Sequence, residues 1–92
     1  MQYTVNIIGT TWGGFQSAYS YNFTQTSEPT AQEIKRKAGD FSSVDDYQII
    51  THSTEYTRPD ELTIVTTHTE KIVRNWQSEE SADLYLEATC ND

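Results

Sequence analysis

The sequence predicts an α+β fold, a four-stranded and mainly antiparallel sheet in the order ββαββα with two helices packed on one face. Three observations carry this. Apolar and polar residues alternate with a period of two over residues 2–9 and again over 15–23. Two helix-start signals, Thr30 with Glu33 and Ser78 with Glu79 and Glu80, each precede apolar residues at helical spacing. Between them lie two Thr- and Ile-rich stretches separated by Arg58-Pro59-Asp60, the pattern of a second hairpin.

In the first strand Tyr3, Val5 and Ile7 share one face, and Gln2, Thr4 and Asn6 point to the other. Residues 9–14, Gly-Thr-Thr-Trp-Gly-Gly, read as a turn because glycine adopts turn conformations at little steric cost. Phe15, Tyr19, Tyr21 and Phe23 then share a face of the returning strand, an aromatic row suited to a half-buried pleated surface.

Thr30 and Glu33 have the spacing of a capping box. The helix they open runs to Ala38, with Gly39 as its stop and Lys35, Arg36 and Lys37 in the last turn, where the macrodipole favours cations. Ala31, Ile34 and Ala38 form its apolar stripe. Residues 41–46 read as a polar loop anchored by Phe41 and Val44, and residues 47–56 as a strand. Residues 62–76 carry a strand pattern whose loss of parity means either two partly buried faces or a bulge near residues 66–69, and its length, too great for one regular strand, favours the bulge or a bend. Ser78 caps a second helix reaching Ala88, with Ala82, Tyr85 and Leu86 as its apolar face.

Composition narrows the function. The chain has 92 residues, one domain's worth, with 6 Lys and Arg against 14 Asp and Glu, a net charge of −8. Binding nucleic acid by phosphate neutralisation needs a basic face, and so does lying on anionic lipid; direct nucleic-acid or membrane binding is not expected. A single cysteine, Cys90, gives neither an internal disulfide nor a cysteine zinc cage. The first nine residues have no basic start followed by a long apolar run, and no stretch approaches the roughly 20 apolar residues that span a bilayer, so a reducing cytoplasmic location is expected.

No catalytic constellation is read from the residues, and no cofactor or metal is expected. The glycines of residues 9–14 lack the Gly-Lys-Ser/Thr ending and following helix of a phosphate loop. Cys90 has no basic flanks to activate it. Asn22-Phe23-Thr24 is a glycosylation sequon without a secretory signal. His52 and His68 fall on the two strands of the second hairpin, with Glu55 and Glu70 close in sequence; side by side they would share a metal only with further ligands, and solvated histidines among threonines are the plainer reading.

The acidic residues form the clearest pattern. Glu79, Asp83 and Glu87, spaced by four, stack along one helix stripe with Glu80 beside them. Such a stripe costs the isolated helix a little and offers complementary charge to a basic partner. Asp45 and Asp46 extend the negative field from a loop, and Trp12 at a turn tip is the residue type that anchors interfaces. These seven residues are the expected partner-binding set.

Residues 76–85, Trp-Gln-Ser-Glu-Glu-Ser-Ala-Asp-Leu-Tyr, resemble the strand-to-helix junction of the dimeric α+β-barrel proteins, the antibiotic-biosynthesis-monooxygenase-like group. That resemblance implies the alternative of a small ligand-binding domain or enzyme, a self-complementary dimer with a pocket between sheet and helices lined by Tyr19, Tyr21, Tyr47 and Trp76. The chain departs from the group by opening with a hairpin and by having no strand after the last helix, so the group's activity is not carried over. In size, acidity and element order the whole chain is similar to small bacteriophage proteins of the anti-CRISPR inhibitor type. That resemblance implies a non-enzymatic binding protein that occludes a basic, nucleic-acid-handling protein or ribonucleoprotein of a host defence complex. A phage virion or assembly component is the remaining expectation.

Overall fold

The computed structural model describes residues 1–89; the expectations for Cys90 and the tail after it lie outside the described residues. The elements are β1 (Gln2–Thr11), β2 (Gln16–Thr24), α1 (Ala31–Lys37), β3 (Phe41–Thr57), β4 (Val65–Arg74) and α2 (Glu79–Thr89). The four strands form one sheet in the order β2-β1-β3-β4, every neighbouring pair antiparallel. The fold is α+β in the predicted order ββαββα, with both expected hairpins formed.

Central strand β1 organises the core. Its odd face carries Tyr3, Val5 and Ile7, which pack with Ile49 of β3, Phe41, and Ile34 and Ala38 of the first helical segment. Tyr21, Phe23, Val44 and Tyr47 border this cluster. Tyr19 stacks beside Tyr21 at 6.1 Å and meets Phe41 edge-on at 5.6 Å, the geometries that aromatic quadrupoles favour. Burial first, then the negative charge of Asp40, raises the Tyr21 phenol above its ordinary value. Phe15, expected to continue the aromatic row, instead sits exposed in the turn, where its carbonyl accepts the Thr11 N–H at 2.7 Å.

The helix starts follow the sequence reading. Thr30 Oγ1 accepts the Glu33 N–H at 3.2 Å, and Glu33 Oε1 accepts the Thr30 N–H at 3.2 Å, a complete capping box. Ser78 Oγ accepts the Ser81 N–H at 3.2 Å at the start of α2. Gly39 does not end α1 in a left-handed conformation: Gly14, in the β1–β2 turn, has the only positive φ among the described residues. The chain leaves α1 through a tight turn in which the Phe41 N–H bonds the Ala38 carbonyl.

Further expectations are corrected. First, the helices lie on opposite faces of the sheet. α1 covers the odd face of β1, whereas Tyr85 of α2 reaches Asn6 and Ser20 on the even face, and Leu84 and Ala88 lie against Ile8 and Ala18 there. The even row looked solvent-facing because it is polar, and α2 covers it through hydroxyl and amide bonds as well as apolar contact. Second, residues 41–46 are strand. Two bulges against β1 leave Asp45 and Ser42 as the extra residues, and their side chains bond back: Thr10 Oγ1 donates to Asp45 Oδ2 at 2.8 Å, and Ser42 Oγ donates to the Thr10 carbonyl at 3.0 Å. Third, the bulge in β4 is at Val73, between the pairs Ile49–Arg74 and Ile50–Ile72, so residues 66–69 run in regular register. β4 also begins at Val65 rather than at residue 62.

β1 ends its pairing with β3 at Gln2 opposite His52. Beyond it β3 and β4 continue as a two-stranded arm, which makes the molecule 57 Å long against 31 and 21 Å. Asp60 shapes the tip by accepting the Leu62 N–H at 2.8 Å and the Thr63 hydroxyl at 3.1 Å, and these bonds lower its carboxyl below the ordinary range.

Gly9 lies where β1, β3 and the Phe41 ring meet: a Cβ there would stand 2.8 Å from both Phe41 Cδ1 and the Ser43 carbonyl oxygen. Gly9→Ala should therefore destabilise the fold by about 1–3 kcal/mol, the usual range for overpacking, measured by urea unfolding; an unchanged midpoint would contradict this contact. The capping box gives a second expectation. The Thr30 backbone N–H, above all, holds the Glu33 carboxyl below its ordinary 4.5. A lowered folded-state value means that the cap contributes fully above that pH and fades as pH falls through the folded-state value. Protection of the α1 amides, corrected for intrinsic exchange, should fall over that window in the native chain, and Glu33→Gln, which removes the titrating carboxyl, should remove that pH dependence.

Candidate functional site

The described residues offer two places where side chains gather away from the core: the outer face of α2 and the even face at the root of the β3–β4 arm.

The attachment of α2 is polar. Asn6 is buried, and its carbonyl oxygen accepts from Ser20 Oγ at 2.7 Å and Tyr85 OH at 3.0 Å. Its amide nitrogen donates to Gln48 Oε1 at 3.0 Å, and Gln48 donates on to Asn75 Oδ1 at 2.9 Å. This chain crosses the sheet from β2 to the end of β4, and no buried side-chain polar atom among the described residues lacks a partner. The Trp76 ring packs at 5.3 Å on the Tyr85 ring. Asp46 ties down the connection into α2: its Oδ2 accepts the Gln77 N–H at 2.9 Å, its Oδ1 accepts the Tyr47 N–H at 2.8 Å, and Arg74 lies 3.7 Å away. The Arg74 guanidinium also bonds the Tyr47 carbonyl and lies 3.5 Å over the Tyr47 ring centre.

The expected partner-binding residues therefore divide. Glu79, Glu80, Asp83 and Glu87 are all exposed, and among the described residues none lies within ion-pair distance of a basic side chain. Glu87 also lines a shallow groove with Leu84 and Ala88 against Ile8, Gln16, Ser17 and Ala18. Asp45 is exposed and bonded to Thr10, whose strand partner is Gln16 of that groove. Asp46, at 5% exposure, is removed from the contact surface by its role in holding the connection. Trp12 is 76% exposed, with only a 3.4 Å bond from its indole N–H to the Gly39 carbonyl.

Charge is segregated by face. Lys35, Arg36 and Lys37, half of the chain's cations, are exposed on α1 over the odd face. Arg74 is engaged by Asp46 and Tyr47. α2, over the even face, carries four acids and no base. The pocket implied by the barrel resemblance is not assembled: Tyr19, Tyr21 and Tyr47 belong to the odd face, while Trp76 packs with Tyr85 on the even side.

The second place is the one that sequence reasoning described incompletely. His52 on β3 stands opposite Glu70 on β4, and His68, two residues before Glu70, shares its face. Glu70 Oε1 lies 3.4 Å from His52 Nδ1 and 3.6 Å from His68 Nε2. The imidazoles stack with ring centres 5.5 Å apart and planes 23° from parallel. Thr4 Oγ1 lies 2.7 Å from His52 Nε2, and Thr54 Oγ1 lies 3.3 Å from His68 Nδ1. Glu55 pairs with Thr67 on the opposite face and takes no part. The signal available in the sequence was the His-x-Glu spacing of residues 68 and 70, which puts both on one strand face once the register is known.

No helix among the described residues is long and apolar enough to cross a membrane.

Removing the Tyr85 hydroxyl takes from Asn6 and Ser20 the partner that fixes α2. Tyr85→Phe should cost about 0.5–1.5 kcal/mol per bond lost and should speed amide exchange in α2 before the rest of the sheet; exchange rising equally throughout would contradict a local anchor.

The chain matches no protein-family model, no curated protein and no solved structure in comparison with each.

Proposed function

We propose that this chain is a non-enzymatic binding protein that docks, through the outer face of α2, on a basic surface of a partner protein or ribonucleoprotein. The observation that carries this reading is the segregation of charge: Glu79, Glu80, Asp83 and Glu87 form an exposed acidic face with no cation in ion-pair reach among the described residues, while half of the cations sit on α1 across the sheet. An unneutralised stripe on one side adds a directed field that steers a basic partner into one orientation. Asp45, bonded to Thr10 beside the α2 groove, extends the contact with charge in this reading, whereas the exposed Trp12, bonded to the Gly39 carbonyl past α1, lies towards the other face.

The partner chemistry that fits is a protein surface rich in Lys and Arg, of the kind that handles nucleic acid. A phage-type inhibitor that occludes such a surface in the cytoplasm of a host fits that chemistry. The projecting β3–β4 arm favours a second reading, self-association in an assembly. Leu62 at its tip is 97% exposed, with Tyr56, Ile64 and Val65 exposed beside it.

The test compares the native chain with the triple variant Glu79→Lys, Asp83→Lys, Glu87→Lys as baits in a bacterial lysate at low and high salt, followed by titration of the purified partner. These positions are exposed, so the variant should keep its far-ultraviolet dichroism. A basic protein captured by the native chain, released by salt and bound roughly tenfold or more weakly by the variant, with a flatter salt dependence, is expected. Equal affinity of the two baits would overturn the assignment of α2. Recovery of the chain alone, in higher-order species, would favour assembly through the arm.

A further inference from the structure

The cluster at the root of the arm has the donor set and spacing of a metal site. We propose that His52, His68 and Glu70 bind a divalent transition-metal ion of the zinc class through His52 Nδ1, His68 Nε2 and a Glu70 carboxylate oxygen.

The first argument is geometric. Zinc bonds imidazole nitrogen and carboxylate oxygen at about 2.0–2.2 Å, so ligand atoms around a tetrahedral ion stand about 3.3–3.5 Å apart. Glu70 Oε1 is 3.4 Å from one imidazole nitrogen and 3.6 Å from the other. All three ligand atoms lie within 4.8 Å of one another, so rotation about side-chain bonds alone closes the set. The backbone already holds it: His52 and Glu70 are a cross-strand pair, and His68 is on the same face of β4.

The second argument is the direction of the lone pairs. Thr4 Oγ1 gives its hydrogen to Asn22 Oδ1 at 3.1 Å and therefore accepts from His52 Nε2–H at 2.7 Å. That tautomer turns the Nδ1 lone pair of His52 toward the Glu70 carboxylate. Thr54 Oγ1 lies 3.3 Å from His68 Nδ1, and Nε2 of His68 faces the same oxygen. The His52 lone pair and the Glu70 carboxylate thus face one point, which a cation would satisfy. Hydrogen bonds on the far nitrogens of both rings are the supports that orient histidine ligands of metals.

The donor types then select the ion. Two imidazoles and one carboxylate suit zinc and its neighbours, whereas calcium and magnesium take sets made of oxygen. Three protein ligands leave a coordination position open. His52 and His68 also line a neighbouring concavity of about 320 Å³, together with residues of β1 and β2 that include Thr4, Asn22 and Phe23. The proposal departs from the expectation of no metal, with Glu70 rather than Glu55 beside the histidine pair. It lies away from α2 and does not depend on the partner-binding reading.

The test is titration of the untagged chain with Zn²⁺ by calorimetry and with Co²⁺ by visible absorption, in the native sequence and in a Cys90→Ser background that excludes the thiol. One ion per chain is expected, with the intense d–d bands of a four- or five-coordinate cobalt centre and no binding of Mg²⁺ or Ca²⁺ at the same concentration. His68→Ala and Glu70→Gln change exposed side chains, so both should fold normally and lose the cobalt spectrum. Thr4→Val should keep the ligands and weaken binding by about 10-fold through loss of the support to His52. The triple α2 variant should bind zinc as the native chain does. Absence of zinc and cobalt binding by the native chain would overturn the proposal, as would wild-type affinity in both His68→Ala and Glu70→Gln.

Discussion

Burial of β1 on both faces is the constraint from which the rest of the structure follows. One face is apolar and takes Ile34 and Ala38 with Phe41 and Ile49; the other is polar and takes Tyr85 on Asn6. A strand with two unlike faces needs two unlike covers. The apolar face is held by area, which is tolerant of direction. The polar face is held by hydrogen bonds of fixed geometry, because a buried amide such as Asn6 is costly unless each partner is in place. The position of α2, and with it the direction of the acidic face, is thus set by a few polar atoms.

The irregularities of β3 and β4 have a related origin. β3 must wrap past the Phe41 ring where Gly9 allows close approach, and it does so with bulges at Ser42 and Asp45. The Val73 bulge brings Arg74 over Tyr47 and beside Asp46, which also receives the Gln77 N–H. Asp46 therefore links the core strand to the α2 connection, and its charge is used inside the fold while its neighbour Asp45 remains at the surface. Two adjacent aspartates have different roles because the bulge turns them to different surroundings.

The arm poses a different problem. A two-stranded ribbon beyond the third strand has little to bury and is marginal by itself. The arm carries β-branched threonines on both faces, and its root is gripped by the contacts of His52 with Thr4 and Glu70. An ion at that root would join β4 to β3 and, through Thr4, to β1. The stability of the arm and the chemistry of the cluster would then depend on each other.

The sequence by itself determined the elements, their order and the starts of both helices. Period-two alternation, the Thr30–Glu33 box and the Ser78 cap are interactions among residues close along the chain, and such interactions leave their spacing in the sequence. The acidic stripe was legible for the same reason, since residues four apart on a helix share a face wherever the helix is placed. Tertiary structure decided what distant residues do to one another. It set α2 across the sheet from α1, since a polar row that reads as solvent-facing can equally be covered by a hydroxyl and an amide. It made strand of residues 41–46, where polar composition argued for a loop and two bulges supplied the bonds. It withdrew Asp46 from the surface and chose Glu70 over Glu55 beside His52 and His68. That choice rests on register, and a shift of one residue would have turned the other set of side chains to that face.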